Sequence, residues 1–136
     1  MVQAEVLATL EKDAKDLIAD SFPFALDDRP FKPTEQHTIF IRHSVVFGDG
    51  ENNCLGLGHY RYMGLQYVVI FYQTGRGNNT VYKKADEIVR HYSDKILPSD
   101  SVTINFRVAS TLKLPQDVNG FSQLQVICPF YFDIRS

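Results

Sequence analysis

The chain has 136 residues, 44% apolar and 22% charged, which suits one globular domain over residues 1–136 and argues against disorder. Fourteen Lys and Arg against sixteen Asp and Glu leave a formal charge of −2 with no basic block, which sets aside a dedicated nucleic-acid binder. The longest apolar run, Tyr67-Val68-Val69-Ile70-Phe71, is too short to cross about 30 Å of hydrocarbon, and two cysteines are too few for a disulfide framework or a thiolate zinc site.

In chain order, Val6, Leu7, Leu10, Ala14, Leu17 and Ile18 recur at helical spacing with Glu11, Lys12, Lys15 and Asp16 between them, predicting an amphipathic helix over Val2 to Ala19. Acidic Glu5, Glu11 and Asp13 among its apolar residues argue against a secretory leader, and with only Cys54 and Cys128 in the chain a reducing cytoplasm is the simplest expectation. Pro23, Pro30 and Pro33 make the stretch from Phe22 to Gln36 an extended connector, which Phe22, Phe24 and Phe31 would pin to the body. From Thr38 the period changes to two, with Ile39, Ile41, His43 and Val45 on one face of a strand. A second strand, Arg61 to Gln73, is apolar on both faces at its centre and is expected in mid-sheet with both faces covered. Between these strands, Phe47 to Gly58 holds four glycines and is longer than a tight hairpin needs, which reads as a surface loop.

The turn Gly75 to Asn79 leads to a helix over Val81 to Tyr92, with Asn79 or Thr80 as its cap and Lys83, Lys84, Asp86, Glu87 and Arg90 facing water. Val102, Ile104, Phe106 and Val108 alternate as a third strand. A fourth runs from Leu124 to Ile134, and Pro129, lacking an N–H, puts it at an edge or at a bulge. The expected fold class is therefore α+β: a single domain with a mixed four-stranded sheet and two helices packed on it, in the order helix–strand–strand–helix–strand–strand. The second helix would serve as a crossover between two paired parallel strands.

Catalytic chemistry leaves no sequence signature. The glycines of 48–58 precede a strand and no Gly-Lys-Ser/Thr follows, so they do not form a phosphate loop, which needs a helix N-terminus. His37, His43, His59 and His91 show no metal-binding spacing, and His43, on an apolar strand face, reads as a hydrogen-bonded core histidine. Asp27-Asp28 beside Arg29 reads as a solvated turn, Cys54 as a spectator, and Cys128 as packing. Catalytic, metal-binding and cofactor-binding residues are accordingly expected to be none.

Several segments carry a resemblance along nearly the whole chain. Pro30-Phe31-Lys32-Pro33 precedes the strand Ile39-Phe40-Ile41-Arg42, and a glycine-rich loop leads to Arg61-Tyr62-Met63-Gly64 and the strand Leu65 to Phe71. Thr74-Gly75-Arg76-Gly77 opens the helix with Ala85-Asp86-Glu87-Ile88-Val89, and Pro129-Phe130-Tyr131-Phe132 lies near the end. From about Leu7 to Ile134 the chain resembles the tail terminators of long-tailed bacteriophages, also called minor tail protein U or tail completion proteins. The resemblance implies a non-enzymatic virion protein, assembled in the host cytoplasm, that forms a homohexameric ring on the head-proximal end of the tail tube. Such a ring stops tube polymerisation and offers the head-joining surface. The implied partners are further copies of the chain, the major tail tube protein and a head-completion or connector protein, with DNA only in passage through the lumen and no membrane. On this reading Asp49, Glu51, Asn52, Asn53, Leu55, Leu57 and His59 form a candidate contact loop towards a neighbouring subunit or the tube. Arg76, Asn78 and Asn79 form a second contact turn. Two other readings stay open: a head-to-tail joining protein, and a small α+β enzyme or ligand-binding domain using His43, His59 or Arg61 near 48–59.

Overall fold

A computed structural model of the chain describes residues 2–19, 22, 24–26, 39–52, 59–73, 78–114 and 121–135. Two helices, α1 (Val2–Ile18) and α2 (Asn78–Tyr92), pack on a sheet of seven strands. These are β1 (Phe24–Leu26), β2 (Ile39–Asn52), β3 (His59–Gln73), β4 (Ile96–Pro98), β5 (Thr103–Phe106), β6 (Ser110–Leu114) and β7 (Phe121–Arg135). The sheet runs β1-β2-β3-β7-β5-β4, with β6 also on β7.

The α+β class and both helices follow the sequence pattern, but the sheet has seven strands where four are expected. The expected strands are β2, β3, β5 and β7. Of the other three, β1 and β4 are only three residues long, β1 next to the prolines of the connector, and β6 is exposed at four of its five positions and so has no buried face to show a period of two. Within that connector Phe24–Leu26 pairs parallel with Ile41–His43, and Phe22 and Phe24 pack on the core. Phe31 and the Asp27-Asp28 pair lie outside the described residues.

The crossover expectation needs correction. β3 pairs antiparallel with β7, and so does β5. Hence β3 and β5, on either side of α2 in the chain, do run parallel, but β7 lies between them and takes both sets of hydrogen bonds. Pro129 accordingly sits in the middle of the sheet. Between Phe106↔Phe130 and Ser110↔Ile127, three residues of the β5–β6 edge face two of β7, which is a one-residue bulge beside the proline. The Arg107 N–H donates to the Pro129 carbonyl at 2.9 Å. A strand residue's N and O point to the same side, so the proline's missing N–H faces this interrupted edge and costs the β3 ladder nothing.

Alternation along the long strands sorts the core. Ile41 and His43 of β2, Gln66, Val68 and Ile70 of β3, and Leu124, Val126, Cys128, Phe130 and Phe132 of β7 are buried on the helix side. Against them lie Val6, Leu10, Ala14 and Ile18 of α1 and Val81, Ala85, Ile88 and Tyr92 of α2, each one helical turn apart. One expected surface residue is buried. Lys84 is only 6% exposed, and its ammonium donates to the carbonyl of Leu17 in the last turn of α1 at 3.3 Å and to Glu87 at 3.4 Å, 5.8 Å from the Phe22 ring. The stem packs apolar surface while the charge meets the negative end of the neighbouring helix. The α2 cap is also corrected: the helix starts at Asn78, so Asn79 and Thr80 belong to its first turn.

At the other end of α1, the Glu5 carboxylate accepts from the Ser99 hydroxyl at 2.6 Å and the Ser101 amide at 2.8 Å, tying the helix to the β4–β5 connection. These donors hold Glu5 below its usual carboxylate pKa. A lowered folded value contributes stability above the unfolded pKa, lost as pH falls through the folded one. Glu5→Gln is therefore expected to be less stable than the parent at neutral pH, with the gap closing on acidification below the carboxylate range; urea unfolding across that range measures it. Packing at Gly64 makes a second expectation. A Cβ there would lie 2.5 Å from Cζ of Phe130 and 2.9 Å from the Val46 carbonyl oxygen, so both a core ring and a strand backbone would have to move. Gly64→Ala should cost about 1–3 kcal/mol in the same assay.

Candidate interaction surface

The sheet's other face is where the fold leaves chemistry unmet. By register it carries Phe40, Arg42, Ser44 and Val46 of β2, Arg61, Met63, Leu65, Tyr67, Val69 and Phe71 of β3, and Ile127, Pro129, Tyr131 and Asp133 of β7. Both helices of the described residues pack on the opposite side. The expectation that both faces of β3 are covered therefore holds only at Val69 and the stacked Phe40–Phe71 pair, whose rings lie 4.6 Å apart. Towards the β2–β3 hairpin the face opens to solvent: Val46 is 55% and Met63 37% exposed, with Val108 and Leu112 exposed on the adjoining edge. Val46, Gly48, Met63, Leu65, Arg107 and Pro129 border an apolar depression of about 340 Å³.

Its polar rim is built around one ring. Arg61 is bidentate to Asp133, with Nε to Oδ1 at 2.8 Å and Nη2 to Oδ2 at 3.1 Å. The Arg61 guanidinium lies 4.2 Å from the Tyr131 ring centroid and that of Arg107 lies 5.5 Å from it. Arg42 and Arg107 make no ion pair among the described residues. Aromatic and arginine side chains around an apolar centre are the composition of protein–protein contacts.

The structure places the expected contact residues differently from a single loop. β2 continues through Asp49, Glu51 and Asn52, shifting register between Phe47 and Gly50, and His59 opens β3, so these four belong to a long hairpin arm. Asn53, Leu55 and Leu57 lie outside the described residues, as do Cys54 and Arg76. Asn78 and Asn79 form the first turn of α2. The arm and this turn lie at opposite ends of the 15-residue β3, about 45–50 Å apart, so they do not form one site. The basic and aromatic rim is what sequence reading missed. Alternation put Tyr131 and Asp133 on one side of β7, but only strand pairing brings Arg61 and Arg107 to them.

No catalytic cluster comes together among the described residues. His43 and Arg61 lie on opposite faces of the sheet, which separates the residues of the enzyme or ligand-pocket reading. No group of three or more His, Cys, Asp or Glu is placed to hold a metal ion among the described residues, and no described helix is long and apolar enough to cross a membrane. His43 is buried and 2.8 Å from Oε1 of Gln66, as a core histidine should be. Near it, Gln66 Nε2 and the Tyr92 hydroxyl are buried without a hydrogen-bond partner among the described residues. Burial, with the Asp13 carboxylate adding to it, pushes the Tyr92 hydroxyl's pKa far up, so it stays protonated. Burial likewise pushes the Cys128 thiol up to about 12. At pH 8 its thiolate fraction is then on the order of 10⁻⁴. In a Cys54→Ser variant, Cys128 is expected to resist a thiol reagent in the folded protein and to react fully in denaturant.

Comparison with known proteins follows the same outline. A family model described as phage tail terminator protein matches residues 5–127. No curated protein matches the chain in sequence. One solved protein structure superposes with a TM-score of 0.69 at 18% identity, covering 98% of this chain and 96% of its own, so it shares the fold. A family match from the first turn of α1 into the middle of β7 spans nearly the whole fold, and the chain belongs to the phage tail terminator protein family, with a structural role in the phage tail.

Proposed function

We propose that this protein forms a closed ring of identical subunits, six in number, that caps the head-proximal end of the tail tube. The ring ends tube polymerisation and presents the surface on which the head docks. Its partners are then neighbouring copies, the tail tube protein below and a head-completion or connector protein above, and it carries out no catalysis. The family match over residues 5–127 is the observation that carries this reading. The open, arginine-rimmed apolar face supports it, because a subunit that works only in an assembly leaves such a surface uncovered as a monomer.

Charge fits DNA in passage through the lumen. Six chains of formal charge −2 carry −12, and an acidic assembly does not grip a polyanion. Light scattering of the purified protein, alone and with purified tail tubes, tests the proposal. The expected result is a species of about six times the 15.5 kDa protomer mass, alone or on tube ends. A strict monomer that ignores tubes overturns it. Binding to tail-less heads but never to tubes would transfer the protein to head-to-tail joining.

A further inference from the structure

The sheet has open backbone edges at β2 and at β6, and hydrogen-bond parity fixes which groups face outward from each. Along a strand, alternate residues point both N–H and C=O to the same side. The Pro129 carbonyl accepts from Arg107, so Pro129 points away from β3, and so do Ile127, Gln125 and Gln123. Their register partners Ser110, Leu112 and Leu114 turn inward to β7, which leaves Thr111 and Lys113 pointing outward. On the other side, Gln66 and Gly64 point to β7, Tyr67 and Leu65 to β2, and their partners Ser44 and Val46 back to β3. Val45 and Phe47 therefore point outward, as do Ile41 and His43, whose outer side β1 takes. The outward N–H and C=O groups of Val45, Phe47, Thr111 and Lys113 have no backbone partner among the described residues.

The two edges match. Residues 44–48 read Ser-Val-Val-Phe-Gly and residues 110–114 read Ser-Thr-Leu-Lys-Leu, with Lys113 the only charge and no proline in either. An edge of that composition is a template for pairing with another strand. β2, β3, β7 and β6 alternate in direction. A second copy related by rotation about an axis roughly along the strands therefore brings its β6 antiparallel to β2. Setting Val45 against Lys113 and Phe47 against Thr111 gives each of these outward groups a partner. In that register Val46 stands directly opposite Leu112, and these are the exposed apolar side chains of the two edges. Both lie on the helix-free face, beside Leu65 and Gln125 in their own sheets. Leu114 comes opposite Ser44, just past the end of β1, so β1 and the incoming strand share β2 without overlap.

We propose that copies of this chain join edge to edge, the outer side of β2 in one copy pairing antiparallel with β6 of the next, Val46 opposite Leu112. The proposal rests on the ring reading above and names that ring's contact. Each copy offers β2 on one side and β6 on the other, a head-to-tail contact that closes into a ring when the rotation between copies allows. Closed-sheet geometry agrees. Within one copy Leu112 lies in the row of Gln125, Val69 and Arg42, four residues short of Val46. The join therefore advances about 13 Å along the strands for about 19 Å across them, an inclination of about 35°, as in closed barrels.

Cysteine pairing and an edge proline test it on the full-length chain, with and without tail tubes. Val46→Cys with Leu112→Cys, in a Cys54→Ser background, is expected to give under mild oxidation a ladder of covalent multimers ending at the ring. Residues opposite one another in a non-hydrogen-bonded antiparallel pair have Cα atoms about 4.5 Å apart, within disulfide reach. Inside one copy the same two positions lie roughly 20 Å apart, across β3 and β7, so no internal bridge competes. Either cysteine alone should give neither ladder nor dimer. Lys113→Pro removes only an outward N–H, so the chain should keep its fold by circular dichroism and lose at least about tenfold in self-association. Should that variant unfold, the cysteine pair decides. A parent that assembles while the cysteine pair gives no ladder overturns the proposal and leaves the ring intact. Lys113→Pro that folds and assembles like the parent overturns it too. So does a covalent dimer from Val46→Cys alone, because like edges would then meet. A parent that stays monomeric with and without tubes overturns the ring reading itself, and this contact with it.

Discussion

The pairing of β3 with β7 is the constraint on which the rest of this molecule depends. Fifteen consecutive register pairs join them, from His59↔Arg135 to Gln73↔Phe121. Both strands are interior, so each also templates an outer neighbour: β2 and then β1 on one side, β5, β6 and β4 on the other. Because side chains alternate with a period of two, slipping this pair by one residue would turn Leu124, Val126, Cys128, Phe130 and Phe132 away from the helices all at once. The match between Gly64 and Phe130 resists such a slip. The ring of Phe130 fills the space where any other residue in register would put a Cβ.

The same pairing fixes the polar devices of the core. Gln66 lies between His43 on β2 and Cys128 on β7 in adjoining registers, and Tyr92 comes down from α2 near them. A polar group left unpaired in such a place costs about 1–3 kcal/mol, so these positions are held by neighbours that pack well enough to bear it. At the surface, Asp13 of α1 meets His91 of α2 at 3.0 Å, and buried Lys84 bridges α2 to the end of α1. The two helices are thus fastened to each other by polar contacts and to the sheet by apolar ones. All of this happens on one side.

The one-sidedness links fold to function. Two helices of 17 and 15 residues cover one face of a sheet whose longest strands have 14 or 15 residues, and the far face keeps Val46, Met63 and Arg107 towards water. On the ring reading proposed above, this face is surface held ready for assembly, and the Arg61–Asp133 pair stacked on Tyr131 stiffens its rim.

Much of this was legible in the residues themselves. Periodicity alone determined both helices, four of the seven strands, the core faces of α1 and β7, and the burial of His43 and Cys128, because each is a local pattern repeated over several turns or pleats. The run Arg61 to Phe71 and the Pro-Phe-Tyr-Phe segment also carry, in the linear sequence, part of the likeness to tail terminators. Tertiary structure alone decided the rest. The strands β1, β4 and β6 exist only because a longer strand offers them an edge. Lys84 is buried only because the C-terminus of α1 and the Phe22 ring come to meet it. The placement of β7 between β3 and β5, and with it the meeting of Arg61, Tyr131, Asp133 and Arg107, depends on pairings between residues some 25 to 75 positions apart. Local patterning dictates which side of a strand a residue faces; which strand lies beside it is settled by the closure of the whole sheet.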